Sequence, residues 1–347
     1  VRDKERVLTA LSGGEPDRVP TWELIINEPV IGAILGKQPR NKLKGYIELV
    51  EKLGIEGLTA VESINYRKVD ENLLEDEWGI RYKVGERGEK FPIAGPVEDM
   101  ADLKELTPPD PEADYRWSEL REMKQYFGDD KAIAVCIHDA FEYPWFLRGG
   151  MDDFLLDTYR NPELVKGIIE TVLEYNVALI EEAAALGADF VCSGDDYAYK
   201  SGPLISPEQF AEFFQPGLRR VVQAAHENGL LFLKHSDGDV RPLLDRFLEA
   251  GIDALCPLEP AAGMDIGEIK RKYGKRIALV GNVDCTDLLI NGTELEVKNS
   301  VKQCISSASP GGGHVLSSSN SIHHDVNPDN YLAMLSALQQ FGEYPIE

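Results

Sequence analysis

Residues 230–259, LLFLKHSDGDVRPLLDRFLEAGIDALCPLE, hold the pattern that most narrows the fold. An apolar run of Leu230, Leu231, Phe232 and Leu233 stops at Lys234 and gives way to the turn-prone His235, Ser236, Asp237, Gly238 and Asp239. Helical spacing follows over about 241–250, Gly251 closes it, and a second apolar run over 254–257 leads to Glu259. Apolar strands separated by one helix predict parallel strands covered on both faces. In such folds the chemistry sits in loops after the C-terminal ends of the strands. His235, Asp237 and Glu259 all fall there, although Asp239, and less so Asp237 nearer the strand end, is also placed to N-cap the helix.

The same alternation extends along the chain. Apolar runs predict strands at 19–24, 57–61, 132–137, 190–193, 230–233, 254–257, 277–281 and 314–317, with helical segments between them. Ser206 followed by Pro207 is a strong helix start. Strict alternation over 347 residues predicts an α/β fold, a single (β/α)8 (TIM) barrel spanning residues 1–347. Residues 66–130 are acidic and proline-rich and are expected to form an irregular insertion after the second strand, with 76–82 as an exposed hairpin strand. They hold too few apolar residues for a core of their own. No GxGxxG follows the first strand and no GxxxxGK[ST] is present, which argues against a dinucleotide or P-loop site.

Charge narrows the partners. Sixty Asp plus Glu against 36 Lys plus Arg give a formal charge of −24, a field that repels nucleic acid and anionic membrane. A polycarboxylate substrate would need a local basic site. No apolar run reaches the roughly 18 residues that span a bilayer, and the opening VRDKERVLTAL lacks a signal-peptide pattern. Cys136, Cys192, Cys256, Cys285 and Cys304 are scattered without CxxC pairs, as in a reducing compartment. The expectation is a cytoplasmic protein acting on a small molecule.

The strand ends carry the chemistry. In order they present Glu23; Glu62 and Asn65; His138, Asp139 and Glu142; Asp195, Asp196 and Tyr197; His235 and Asp237; Glu259; Asn282 and Asp284; Asn320, His323 and His324. Carboxylate, imidazole and amide crowded at one rim suit acid–base work or a divalent cation. Crowded carboxylates repel, so some must be protonated, paired or metal-bound. His235-x-Asp237 with Glu259 offers nitrogen and oxygen donors for zinc with an open fourth position. The same residues could equally make a hydrogen-bonded mouth without metal.

Several blocks, read together, resemble the uroporphyrinogen decarboxylase superfamily: KERVLTALSGGEPDRVPTWE, DEWGIRY, GADFVCSGDDYAYKSGPLISPEQFAEFFQP, LKHSDGDV, VGNVD and GGGHVLSSSNSIHHDVNPDNYLAML. They run in order through nearly the whole chain. The resemblance implies a single (β/α)8 barrel, a homodimer, and one of two activities: the haem-pathway decarboxylase, or a cobalamin-linked methyltransferase that uses zinc to activate a thiol. The decarboxylase branch carries an Arg-rich motif after its first strand and a His after its last. Here residues 21–36 contain no Arg or Lys, and Asn320 stands in place of the His, so turnover of uroporphyrinogen is not expected. The thiol branch holds zinc by H-x-C and a second Cys. Here Asp237 takes the first Cys position, and Asn320 or a neighbour the second.

Oxygen donors in place of thiolates make a harder site, suited to an ether, amine, hydroxyl or water rather than a thiol. The expected protein is a methyltransferase-type enzyme moving a methyl group between a small O- or N-methylated substrate and a corrinoid on a partner protein, with zinc or another divalent metal assisting. Its expected catalytic residues are His235, Asp237 and Asp196, and its metal ligands His235, Asp237 and Glu259. Substrate contacts are expected from His138, Glu23, Tyr197, Asn282, Asn320 and His323. The alternatives are a decarboxylase or lyase for a small acid or tetrapyrrole, and a non-catalytic binder of a corrinoid or porphyrin-like ligand.

Overall fold

The computed structural model of the protein describes residues 1–346. In chain order, β1 (Gly57–Val61) precedes four short strands, β2 (Tyr66–Asp70), β3 (Leu73–Asp76), β4 (Arg81–Val84) and β5 (Lys90–Ala94). Then come β6 (Ala132–Ile137), β7 (Phe190–Ser193), the two-residue β8 (Ala198–Tyr199) and β9 (Gly202–Pro203), and β10 (Leu231–His235). The last are β11 (Ala254–Cys256), β12 (Ala278–Val280) and β13 (His314–Val315). Seven of them form one parallel sheet in the order β1-β6-β7-β10-β11-β12-β13.

The sheet curls, and the segment expected as the first strand lies against both of its edges. Thr21 bridges to Leu316 beyond β13, and Trp22 bridges to Gly57 of β1, both in parallel sense. Pro20 has no N–H to give to a ladder, and the neighbouring bonds are split between two partners. The Pro20 carbonyl accepts from Leu316 N–H at 2.9 Å and the Thr21 carbonyl from Gly57 N–H at 3.1 Å. The result is an extended segment with isolated bridges rather than a regular strand.

Side chains alternate across the strands as the pleat requires. Ala132, Ala134, Cys192, Leu233, Cys256 and Val280 pack on one another inside the curl. Their neighbours Ile133, Val135, Val191, Phe232, Leu255 and Leu279 join the larger core under the helices. The N-terminal helix Asp3–Leu11 sends Val7, Ala10 and Leu11 into the inner cluster. It meets the strand starts, where Lys4 N–H reaches the Asp130 carbonyl and Lys4 Nζ lies 2.6 Å from Asp189. One end of the curl is thereby covered, and the opposite end carries the polar loops.

Between β1 and β6 the expected irregular stretch is ordered. β2 to β5 make a four-stranded antiparallel meander, and the helices Met100–Glu105 and Ser118–Phe127 follow. Residues 76–82 are not one exposed strand. Asp76 ends β3, and its carboxylate accepts from Trp78 and Ile80 N–H, each at 2.9 Å, and from the Tyr82 hydroxyl at 2.8 Å. That turn buries Trp78, Ile80 and Tyr82. Trp78 packs edge-on to Tyr175, with ring centroids 5.0 Å apart, so these apolar residues serve the main core. No helix among the described residues is long and apolar enough to cross a membrane.

Candidate active site

β10 runs two residues further than its apolar composition suggests and includes Lys234 and His235. Alternation turns His235 inward with Leu231 and Leu233. Its Nε2 lies 3.6 Å from Asp196 Oδ1 and 3.5 Å from Asp237 Oδ1, and one ligand atom from each of the three residues lies within 4.8 Å of the others. Such separations are too long for good hydrogen bonds, and Asp237 Oδ1 is buried without any partner. The remaining contacts are anchors. Asp237 Oδ2 accepts from the Asn320 amide, Asp196 Oδ1 accepts from Asp237 N–H at 2.7 Å, and His235 Nδ1 lies 3.5 Å from the Cys256 thiol. Burial, with the neighbouring Asp196 and Glu259 charges, pushes the Asp237 carboxyl up to about 6 against the pull of His235 and Asn320.

The donor set fits a divalent cation. Bonds of about 2.0–2.1 Å in a tetrahedral zinc site put ligand atoms roughly 3.3 Å apart, close to the separations at His235 Nε2. The composition of the set differs from expectation, because Asp196 stands where Glu259 was predicted. Glu259 is buried, and its Oε2 accepts from Gly238 N–H at 3.0 Å. It braces the loop that carries Asp237. Gly238 itself (φ +82°) sits so close to the chain that a Cβ would lie 2.6 Å from the Ala198 carbonyl carbon.

A second imidazole–carboxylate cluster stands at the ends of β6 and β7. His138 Nδ1 is 2.9 Å from Asp195 Oδ1 and 3.4 Å from Glu142 Oε2. Asp195 is fully buried, and its other oxygen accepts from Phe141 N–H at 2.7 Å and Glu142 N–H at 3.2 Å. Burial alone would lower the His138 pKa, but its contact with Asp195 and the nearby Glu142 hold it up to about 9. Burial also pushes the Glu142 carboxyl up to about 8, despite His138. His138 borders a cavity of about 140 Å³ whose walls include Glu62, Ile64, Tyr143, Tyr175 and Leu179.

The other predicted contacts do not converge on the mouth. Glu23 is buried among Ser317 Oγ at 3.2 Å, Ser318 N–H at 3.2 Å and Ser318 Oγ at 2.6 Å. Burial pushes its carboxyl up to about 8 against those donors, and it straps the bridging segment to the chain beyond β13. Tyr197 is also fully buried, stacked at 5.2 Å on Phe141 with its hydroxyl on Asp139. Asn282 donates to the Leu258 and Met264 carbonyls at 2.8 and 3.2 Å, and borders a separate groove with Asp265 and Cys304. His323 Nε2 meets the Cys285 carbonyl at 2.9 Å. Strand-end position was the signal for all four, and it does not say which way a side chain turns. Asn320 alone of the late residues joins the His235 cluster.

Sequence reading gave no role to Lys234, which is completely buried and 2.8 Å from Asp139 Oδ2. Three basic groups near these residues are paired. Besides Lys234, Arg116 is 2.6 Å from Glu77 and 4.0 Å from Glu62, and Arg241 is 2.7 Å from Asp239.

Comparison with known proteins agrees with this architecture. The chain is 26% identical over 284 residues to a uroporphyrinogen decarboxylase of Thioalkalivibrio sulfidiphilus, covering 76% of this chain and 75% of that protein. Against a uroporphyrinogen decarboxylase of Xanthomonas campestris pv. campestris it is 24% identical over an alignment of 374 positions, gaps included, covering 98% of this chain and 99% of that protein. A solved methyltransferase from Methanosarcina mazei superposes with a TM-score of 0.76 at 18% identity, covering 98% of this chain and 99% of that one, and so shares the fold. The family profile of uroporphyrinogen decarboxylase (URO-D) matches residues 73–341, and the chain belongs to that family of enzymes.

Proposed function

We propose that this protein is a methyltransferase-type member of the family, with a (β/α)8-type barrel formed by the whole chain and an irregular first strand. It moves a methyl group between a small O- or N-methylated substrate and a corrinoid carried by a partner protein. The observation that carries this reading is the unpartnered, buried Asp237 Oδ1 facing His235 Nε2 and Asp196 Oδ1 at metal-ligand spacing. A divalent cation held by His235, Asp196 and Asp237 would supply Lewis acidity toward the methyl-bearing heteroatom. Asn320 orients Asp237, and Cys256 stands behind His235. Asp195 fixes His138 through Nδ1, which leaves Nε2 on the far side of the ring to deliver a proton to the departing oxygen or nitrogen. Near neutral pH that proton is in place, since His138 is held up to about 9.

The cations argue in the same direction. An octacarboxylate needs free basic groups, and Lys234, Arg116 and Arg241 are each engaged by a carboxylate, while residues 21–36 contain none. One observation favours a second reading, a carboxy-lyase acting on a smaller acid: Glu142, pushed up to about 8 beside His138, doubles the proton donors at the mouth. The test is to incubate the purified protein with zinc and cob(I)alamin plus methanol, methylamines or methyl ethers, following methylcobalamin by absorbance. In parallel, CO2 release is measured from uroporphyrinogen and small carboxylic acids. Methylcobalamin without CO2 is expected. CO2 release without methyl transfer would replace this reading by the second.

A further inference from the structure

Lys234 is a charged side chain where packing calls for an apolar one. On β10 it follows Leu233, which faces the inner core, so it points with Phe232 toward the helical layer. There it is wholly buried, its ammonium 4.9 Å from the centroid of the Tyr197 ring. Each of its three N–H donors has an acceptor: Asp139 Oδ2 at 2.8 Å, the Asp195 carbonyl at 2.8 Å and Ser193 Oγ at 3.3 Å. Asp139 is satisfied in turn by Ala140 N–H at 2.6 Å and by the hydroxyls of Ser193 and Tyr197. A buried ion pair of this kind adds little net stability over apolar residues of the same shape. Its value lies in fixing one arrangement of the groups that complete it.

The partners of Lys234 identify that arrangement. Asp139 follows His138 at the end of β6, Asp195 precedes Asp196 at the end of β7, and His235 is the next residue on β10. One ammonium therefore ties together the three strand ends that carry both clusters, without touching either imidazole. We propose that Lys234, with Asp139, is a positioning residue that sets the spacing of the His138–Asp195 pair and of the Asp196–His235–Asp237 group together. The cost of removing both charges should then appear as displaced site groups more than as lost stability.

The decisive variant is Lys234→Met/Asp139→Asn, which removes both charges and retains much of the side-chain volume. Two measurements read it: titration with cobalt(II) chloride, followed by the d–d absorption of the Asp196–His235–Asp237 group, and side-chain NMR of the His138 ring. The expected result is a folded protein with a cooperative melt, cobalt(II) binding weakened about 10–100-fold, and shifted His138 resonances. Unchanged His138 resonances in a folded double variant would overturn the inference. Only the cobalt(II) arm rests on the metal reading. Wild-type protein that takes up no cobalt(II) defeats that reading, while the His138 arm still decides this one. Should the double variant not fold, Tyr197→Phe keeps both charges and removes one hydrogen bond to Asp139. A smaller His138 shift then supports the inference, and none overturns it.

Discussion

His138 and His235 stand at the ends of β6 and β10, each facing two carboxylates, but the contacts differ. Around His138 the Asp195 carboxylate is closed: it accepts from the ring at 2.9 Å and from two backbone N–H groups at 2.7 and 3.2 Å, while Glu142 Oε2 stands 3.4 Å from the same ring nitrogen. Around His235 the contacts are open: the carboxylate oxygens stand 3.5 and 3.6 Å away, and one has no partner. A closed carboxylate such as Asp195 stores a proton on the ring, because both of its oxygens are already committed. An open cluster leaves donor atoms aimed at a common point, the arrangement that suits a cation. Residue types alone would have made the two alike.

The largest expected effect separates them directly. Replacing His235, Asp196 or Asp237 by Ala leaves two protein donors, too few to hold zinc tightly, and zinc or cobalt(II) affinity should fall by more than about 100-fold, beyond what loss of a supporting residue causes. Asp237→Cys should raise zinc affinity by restoring a soft thiolate. His138→Gln should leave metal content unchanged. Elemental analysis of the purified variants checks all of these. Metal lost equally from His138→Gln would erase the distinction between the clusters.

The closed cluster is sharpened by pH. Asp195→Asn should drop the His138 pKa by about 2 units or more, toward the ordinary 6.5, measured by NMR titration. The linkage has a definite sign. His138, held up to about 9 from 6.5, contributes stability that is complete below 6.5 and lost as pH rises through about 9. Glu23 and Glu142, pushed up to about 8 from 4.5, each add a penalty that begins above 4.5 and is complete above 8. All three make the protein less stable from about pH 5 to 9, as urea unfolding across that range should show. Glu23→Gln should flatten the curve by on the order of 2–4 kcal/mol.

Glu259 gives an intermediate case. As a ligand, its loss would match that of Asp237. As a brace on Gly238 N–H, its replacement by Ala should weaken metal binding by only about 10–100-fold. Isothermal titration with zinc distinguishes the two, and a loss equal to that of Asp237→Ala would restore the ligand set read from sequence.

Much of this architecture was legible because apolar runs report burial. The strands at 57–61, 132–137 and 190–193 coincide with the observed ones, and their C-terminal ends do carry the polar loops. Segments whose burial comes from distant partners were not legible. Trp78 and Tyr82 looked like an exposed hairpin because the surfaces they cover, around Tyr175 and Tyr143, lie far along the chain. Lys234 was read as the end of a strand because charge normally marks exposure, and its counter-ion Asp139 is 95 residues away in sequence. The site was half legible for the same reason. Sequence placed His235 and Asp237 together, but choosing Asp196 over Glu259 required knowing how two loops fold toward each other.

The smallest expected effect tests whether strand-end position alone makes a residue functional. His323 follows the last strand and was a predicted substrate contact, yet both ring nitrogens are occupied. Nδ1 accepts from Asp325 N–H at 3.3 Å and Nε2 meets the Cys285 carbonyl at 2.9 Å. With Nδ1 accepting from a backbone N–H and Nε2 set against a carbonyl, neither ring nitrogen is left for a ligand. His323→Ala should therefore cost about 1–2 kcal/mol of stability for two hydrogen bonds, while zinc affinity and the His138 titration stay at wild-type values. Chemical denaturation and the two binding measurements check this. A loss of metal affinity in His323→Ala would mean that the loop after β13 contributes to the open cluster through more than Asn320.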